Sequence, residues 1–179
     1  MSAVSRTLMV SVFALMSFTA HAQCQQTIIV RHAEKADDGT RDPPLSFAGQ
    51  IRATRLADIL KDADIVGLYA SQYQRTQQTL APLAQAHNLS VRIHPIGEGG
   101  SSVQAADIAR EVRLTARTGT VVVAGHSNTV DDLVAAFGET VIDELEHNDY
   151  DTFFVIDRCG EAPAQLHKQD FSRASLHEK

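Results

Sequence analysis

The stretch IIVRHAEKADDG, residues 28–39, begins as a run of β-branched residues and ends in a cluster of ionisable ones. Ile28, Ile29 and Val30 read as part of a short strand buried on both faces. Arg31 and His32 then stand side by side at its carboxyl end, followed by Glu34 and Lys35. A histidine met alone in such a place is more often a buried, hydrogen-bonded residue than a reacting one. Its meaning depends on what the rest of the chain delivers beside it.

Outward from that strand, short β-rich runs alternate with helical patterns, which signals an α/β fold with a mostly parallel sheet. The strands are expected at 27–30, 65–70, 91–94, 120–124 and 152–157. Ser46 reads as the N-cap of a first helix whose apolar stripe is Phe47, Ile51, Leu56, Ile59 and Leu60. A second helix follows Ser71 and runs through Thr76, Leu80 and Leu83, with Pro82 expected to break it or to open a fresh first turn. Ser101 or Ser102 is expected to cap a third, with Val103, Ile108, Val112 and Leu114 as its stripe. A fourth spans 129–137 and stops at Gly138. The tail RCGEAPAQLHKQDF reads as a turn and an edge strand. No repeat, low-complexity stretch or second domain is apparent.

In sheets of this kind the ligand site lies beyond the carboxyl ends of the strands. The first strand brings Arg31 and His32 there, the second Ser71 to Arg75, the third the segment 94–100, and the fourth Gly125 and His126. Two guanidinium groups and two imidazoles thus converge from distant parts of the chain. Arginine supplies a planar, permanent charge suited to phosphate oxygens. A neutral imidazole is nucleophilic, and nearby cations offset the repulsion that a phosphoryl dianion would otherwise present. The chemistry indicated is phosphoryl transfer through a phosphohistidine.

Four segments resemble, in order, the motifs of the histidine phosphatase superfamily, branch 1, with its phosphoglycerate-mutase-like fold. VRHAEK (30–35) resembles the R-H-G/A signature, and PLSFAGQIRATRLADIL (44–60) is similar to L-[ST]-x-x-G-x-x-[QR]-A-x-x-L. YASQYQRTQQT (69–79) looks like S-x-x-x-R-[TA]-x-x-T, and VVVAGHSN (121–128) like V-x-x-V-[GS]-H. The ordered set covers most of residues 27–137 and is more specific than any one motif. The resemblance implies a three-layer α/β fold, a mostly parallel central sheet flanked by helices. It implies His32 as the nucleophile, Arg31 and Arg75 as phosphate clamps, and His126 as a hydrogen-bonding partner of the transferring group opposite His32. The backbone N–H of Ser127 would add a donor. No cofactor and no metal is implied, and the short loops suit a small phosphatase of the phosphohistidine or broad-specificity type. Many members place a glutamate after the third strand as the acid for the leaving group. Here HPIGEGGSS (94–102) offers only Glu98, between glycines.

Simpler readings remain beside these. Glu34 and Lys35 can be a surface ion pair worth under ~1 kcal/mol, and Lys35 can also draw anions toward the mouth. Asn128 reads as a helix cap before a substrate contact. Asp149 and Asp151 suit a pocket rim or a solvated loop equally. His87, His94, His147, His167 and His177 show no ligand-like spacing. A phosphomutase, a non-catalytic anion-binding protein and, least of all, a metal module of His32, Glu34 and His126 are the competing functions.

The first 22 residues carry one charge, Arg6, then an apolar run from Leu8 to Phe18 and an A-x-A pattern ending at Ala22. This is the layout of a secretory signal, shorter than the ~20 apolar residues that span a bilayer. The expectation is an exported, periplasmic or secreted single domain over 23–179, without stable membrane insertion; lipid attachment at Cys24 is disfavoured by the bulk of Gln23. The chain has a formal net charge of −6, which argues against a nucleic-acid partner. The expected partner is a phosphorylated small molecule or phosphoprotein. Cys24 and Cys159 can pair in an oxidising compartment, which would close a long loop. Two separate thiols are the equal alternative.

Overall fold

A computed structural model describes residues 24–171. The expected signal over 1–22, the start near Gln23, and His177 lie outside the described residues. Six strands and four helices follow in the order β1 (Cys24–Arg31), α1 (Phe47–Ile59), β2 (Ile65–Ala70), α2 (Gln74–Ala86), β3 (Val91–Ile93), α3 (Gly100–Thr115), β4 (Gly119–Gly125), α4 (Val130–Gly138), β5 (Thr152–Cys159) and β6 (Gln165–Asp170). The strand order in the single sheet is β3-β2-β4-β1-β5-β6. β3, β2, β4 and β1 run parallel, and β5 and β6 continue the sheet antiparallel.

The alternation of side chains along the strands sorts the core into two layers. Ile28, Val30, Leu68, Ala70, Val122 and Ala124 meet Leu56 and Leu60 of the α1 region and Leu80 and Leu83 of α2. Ile29, Tyr69, Val121 and Val123 meet Ile108 and Val112 of α3 and Leu133 and Phe137 of α4. Covering both faces explains why the central strands are nearly continuous in β-branched residues.

Register then fixes the site. Val30 pairs with Ala124 and Arg31 with Gly125, while Ala70 pairs with Ala124 from the other side. The residues that come next, His32, His126 and Ser71, leave the sheet at one level. The His32 N–H extends the ladder by one bond, donating to the Gly125 carbonyl at 2.8 Å.

Several local expectations are corrected. Phe47 and Ile51 are 79% and 56% exposed, because α1 turns the face Gly49, Ala53, Leu56 and Ala57 inward. A Cβ on Gly49 would lie 2.1 Å from the Glu34 carbonyl oxygen, so only glycine lets α1 approach the segment after β1 this closely. Ser46 does cap α1, accepting from the Gly49 N–H. Pro82 stays inside α2 without ending it: burial of Leu80 and Leu83 carries the helix on to Ala86. Ser101 and Ser102 fall within the first turn of α3, which is preceded by Gly99. The Ser101 hydroxyl instead donates to Asp132 at 2.5 Å. Val103 and Leu114 are exposed, the buried face of α3 being Ala105, Ile108, Ala109 and Val112. In α4, Gly138 is still helical and Glu139, at φ 55°, ends the helix.

At the opposite end of β1 from the site, Cys24 is paired with Cys159 of β5 in register, and the two are joined by a disulfide of 2.02 Å.

Candidate active site

Arg31, His32, Arg75, His126 and Ser127 line one cavity of about 550 Å³. The first two leave β1, His126 leaves β4, and Arg75 is the second residue of α2. The His32 and His126 rings lie edge to face with centroids 5.2 Å apart. Ser127 sits in the turn three residues before the first residue of α4.

Backbone bonds hold His32 in one tautomer. Its Nδ1 is 2.7 Å from the Ala33 carbonyl oxygen, which can only accept, so Nδ1 carries the proton and Nε2 presents a lone pair. Burial, with Arg75, Arg31 and Lys35 adding to it against the Ala33 bond, lowers the imidazole to a pKa of about 4. His126 is lowered to about 3 by burial and by His32, Arg75 and Arg31. Both rings are therefore neutral at physiological pH.

His126 is oriented through hydroxyls. Its Nε2 lies 3.0 Å from Ser71 Oγ, which lies 2.9 Å from Thr76 Oγ1. Thr76 makes its shortest bond, 2.8 Å, to the Tyr73 carbonyl. With that proton spent there, Ser71 donates to Thr76 and accepts from His126 Nε2–H. One helical turn on, Thr79 Oγ1 accepts from the Ala33 N–H at 2.9 Å and donates to the Arg75 carbonyl at 2.7 Å. The two threonines of RTQQT thus brace the two histidines separately.

Each arginine is stacked on a tyrosine: Arg31 lies 4.0 Å from the centre of the Tyr150 ring and Arg75 4.5 Å from that of Tyr73. Arg31 Nη1 donates to the carbonyls of Glu146 and Asp149, both at 3.0 Å. Arg31 Nε, Arg75 Nε and Arg75 Nη1 are buried without a hydrogen-bond acceptor. Asp42 stands 3.6 Å from Arg75 Nη1, an ion pair beyond hydrogen-bond length. Buried donors of this kind are costly unless something accepts from them, and an anion in the cavity would do so.

The remaining sequence candidates divide. Glu98 is exposed and outside the cavity lining, whereas Ile96, Gly100 and Ser101 on either side of it contribute to the wall. Asn128 lines the cavity rather than capping α4; the Thr129 hydroxyl accepts from the His126 N–H at 2.8 Å. His147, read as incidental, also reaches the wall. Glu34 pairs with Arg52 at 2.7 Å and not with Lys35. Burial would raise its pKa, but the bonds from Arg52 outweigh this and hold it below the ordinary range. That engagement takes Glu34 out of a metal set with the two histidines. Asp149 accepts from the N–H groups of Asp151 and Thr152 at 3.2 and 2.9 Å, and these outweigh burial to lower its carboxyl. Asp151 bonds Arg52 at 2.5 Å. Ser71, Tyr73 and Tyr150 contact His126, Arg75 and Arg31 of the site, contacts that the sequence pattern alone does not assign. The serine that opens the segment with Arg75 and the tyrosine two positions before that arginine were signals for the first two.

The sequence model of the histidine phosphatase superfamily, branch 1, matches residues 27–96. The uncharacterised Mycobacterium tuberculosis protein Rv0525 is 47% identical over 51 residues, 28% of this chain and 25% of that protein, so the chain aligns with about a quarter of it. Among solved structures, the protein histidine phosphatase SixA in complex with tungstate is similar with a TM-score of 0.63 and 20% identity, over 82% of this chain and 97% of that one. The mycobacterial glucosyl-3-phosphoglycerate phosphatase Rv2419c gives a TM-score of 0.61 and 13% identity, over 83% and 99%. These likenesses establish the phosphoglycerate-mutase-like fold, a six-stranded sheet flanked by helices. The segment that matches the histidine phosphatase superfamily, branch 1, is the one that contributes Arg31, His32, Ser71 and Arg75 to the site on this fold.

Proposed function

We propose that the chain is an exported phosphatase that hydrolyses phosphomonoesters or phosphoramidates through a phosphohistidine on His32, without a metal. The observation that carries this reading is the presentation of a neutral, Nδ1-protonated His32 beside arginine donors that have no acceptor within the protein. Nε2 attacks phosphorus while the bond to the leaving oxygen or nitrogen breaks, its electron pair departing with the leaving group. Arg31 and Arg75 neutralise the phosphoryl oxygens, and the Ser127 N–H holds the group from the other side together with His126, whose ring takes up a proton on Nδ1 when the anion binds and donates from there. Water then attacks phosphorus, the P–N bond to His32 breaks, and inorganic phosphate is released with His32 restored. Guanidinium charge supplies the electrophilic stabilisation that a metal would give elsewhere. The phosphatases of the same fold support this reading.

No carboxylate among the described residues lines the cavity. Leaving groups that need no proton from the protein suit it best, such as the nitrogen of a phosphoramidate, which takes its proton from water before the P–N bond breaks, or an acidic alcohol, and Glu98 is left a marginal part in the first step. The same observation favours, as the second reading, a non-catalytic protein that binds phosphate. Hydrolysis of an activated aryl phosphate with chelator present, compared with His32→Ala, separates the two. Turnover lost in the variant supports the phosphohistidine route. Phosphate binding without turnover by the wild type overturns it, and collapse of wild-type activity on chelation refutes the metal-free mechanism. Detection of the mature protein in the periplasmic or culture fraction tests export.

A further inference from the structure

The phosphoryl group accounts for Arg31 and Arg75, yet the cavity holds two more permanent cations, Lys35 and Arg41. In a chain of net charge −6, four such charges around one space, with no carboxylate among its described lining residues, exceed what one phosphoryl group requires. The geometry points to a second anion subsite formed by Lys35 and Arg41, so that the substrate is a phosphorylated small molecule whose leaving group carries its own carboxylate or phosphate. This rests on the phosphatase reading and narrows it.

Lys35 and Arg41 belong to the segment joining β1 to α1, and that segment is held in place. A bridge pairs Lys35 with Leu45 at its base, and the Ala36 N–H donates to the Pro44 carbonyl at 2.8 Å. Its tip turns at Gly39, at φ +73°, a backbone conformation suited to glycine. The far arm is tacked to the start of α2, where Gln74 bonds Asp42 through its N–H at 3.0 Å and through its side chain at 3.1 Å.

Three of the acids of this segment have partners other than Arg41: Glu34 pairs with Arg52, and the charge of Lys35 reaches Asp38 without an ion pair within 4 Å. Asp38 accepts from the N–H and hydroxyl of Thr40, and Asp42 faces Gln74 and Arg75. No ion pair within 4 Å involves Lys35 or Arg41 among the described residues. Lys35 nonetheless stands close enough to His32 for its charge to act there. A cavity of about 550 Å³ has room for a leaving group beside the phosphoryl site, being within the range that holds whole small ligands.

The test compares binding of phenylphosphonate with binding of phenylphosphonates bearing a meta or para carboxylate, by titration calorimetry on the wild-type protein at low salt. Phosphonates are not hydrolysed, so the readout is independent of turnover. At least one carboxylated probe is expected to bind about fivefold tighter or better, as one close charge contact at a wet rim contributes, with the advantage shrinking as salt screens it. Lys35→Gln together with Arg41→Gln should bring the ratio near one. A wild-type ratio near one, or a ratio that survives both substitutions, overturns the subsite. Hydrolysis of phenyl phosphate by the wild type is measured alongside: a preserved binding ratio without turnover refutes the phosphatase reading, and turnover without the ratio refutes the subsite.

Discussion

Two buried imidazoles with pKa values of about 4 and about 3 make stability depend on pH in a window where few other groups titrate. As pH falls through about 6.5 the unfolded chain takes up protons at His32 and His126. The folded chain does not do so until near pH 4 and below. The unfolded state therefore binds more protons across this window and stability falls with pH. From pH 8 to pH 5 the loss is about 2 kcal/mol for each histidine, about 4 kcal/mol for the pair. Glu34 and Asp149, whose carboxyls are held below the ordinary range, lose their contribution only at still lower pH. Urea melts of wild type and of the His32→Asn, His126→Asn double variant, at pH 8, 7, 6 and 5, isolate the effect, since all other groups cancel in the difference. The difference in unfolding free energy should change by about 4 kcal/mol over the series. A constant difference would refute the burial argument and the neutral nucleophile with it. Inorganic phosphate, by giving the arginines an acceptor and favouring protonated rings, should flatten the wild-type curve.

Three further outcomes are expected. Gly49→Ala should cost about 1–3 kcal/mol or more in thermal or denaturant melts, because its Cβ would press on the Glu34 backbone; an unchanged midpoint would mean that α1 can shift freely. Ser71→Ala should cost about 1–3 kcal/mol by leaving His126 Nε2 without its acceptor, and should lower kcat more than it changes KM; full activity would show that His126 is oriented by something else. Glu98→Gln should leave kcat on phosphoramidates and activated aryl phosphates unchanged, consistent with its exposed position outside the cavity, whereas a marked fall would restore it as the acid.

The parallel strands were legible because a strand covered on both faces must be apolar along its length, and that pattern is local. The arginines and histidines of the site were legible for a related reason: they occupy strand ends, and strand ends meet. Partners far apart in sequence were not. Glu34 lies next to Lys35 yet bonds Arg52, 18 residues on, because Gly49 draws α1 against the segment after β1. Tyr150 covers Arg31 from a loop without periodicity or motif. Helix faces were misjudged where apolar residues outnumber the positions the sheet can cover, as with Phe47, Ile51, Val103 and Leu114. Ser101 and Ser102 have the chemistry of an N-cap, but Gly100, at φ +77°, starts the helix ahead of them.

The Cys24–Cys159 bond spans 135 residues and makes a covalent ring of nearly everything described, all four helices and every cavity-lining residue included. Proteolysis within the ring, for instance in the exposed segment that carries Lys35 and Arg41, converts the chain into two pieces that still travel as one molecule until a reductant is added. A nicked sample would then run intact on a non-reducing gel and as two bands on a reducing one. Because Cys24 lies about 26 Å from His32 along β1 at the usual rise per residue, loss of the bond should show in survival under protease and heat, and leave the rate of each turnover unaltered.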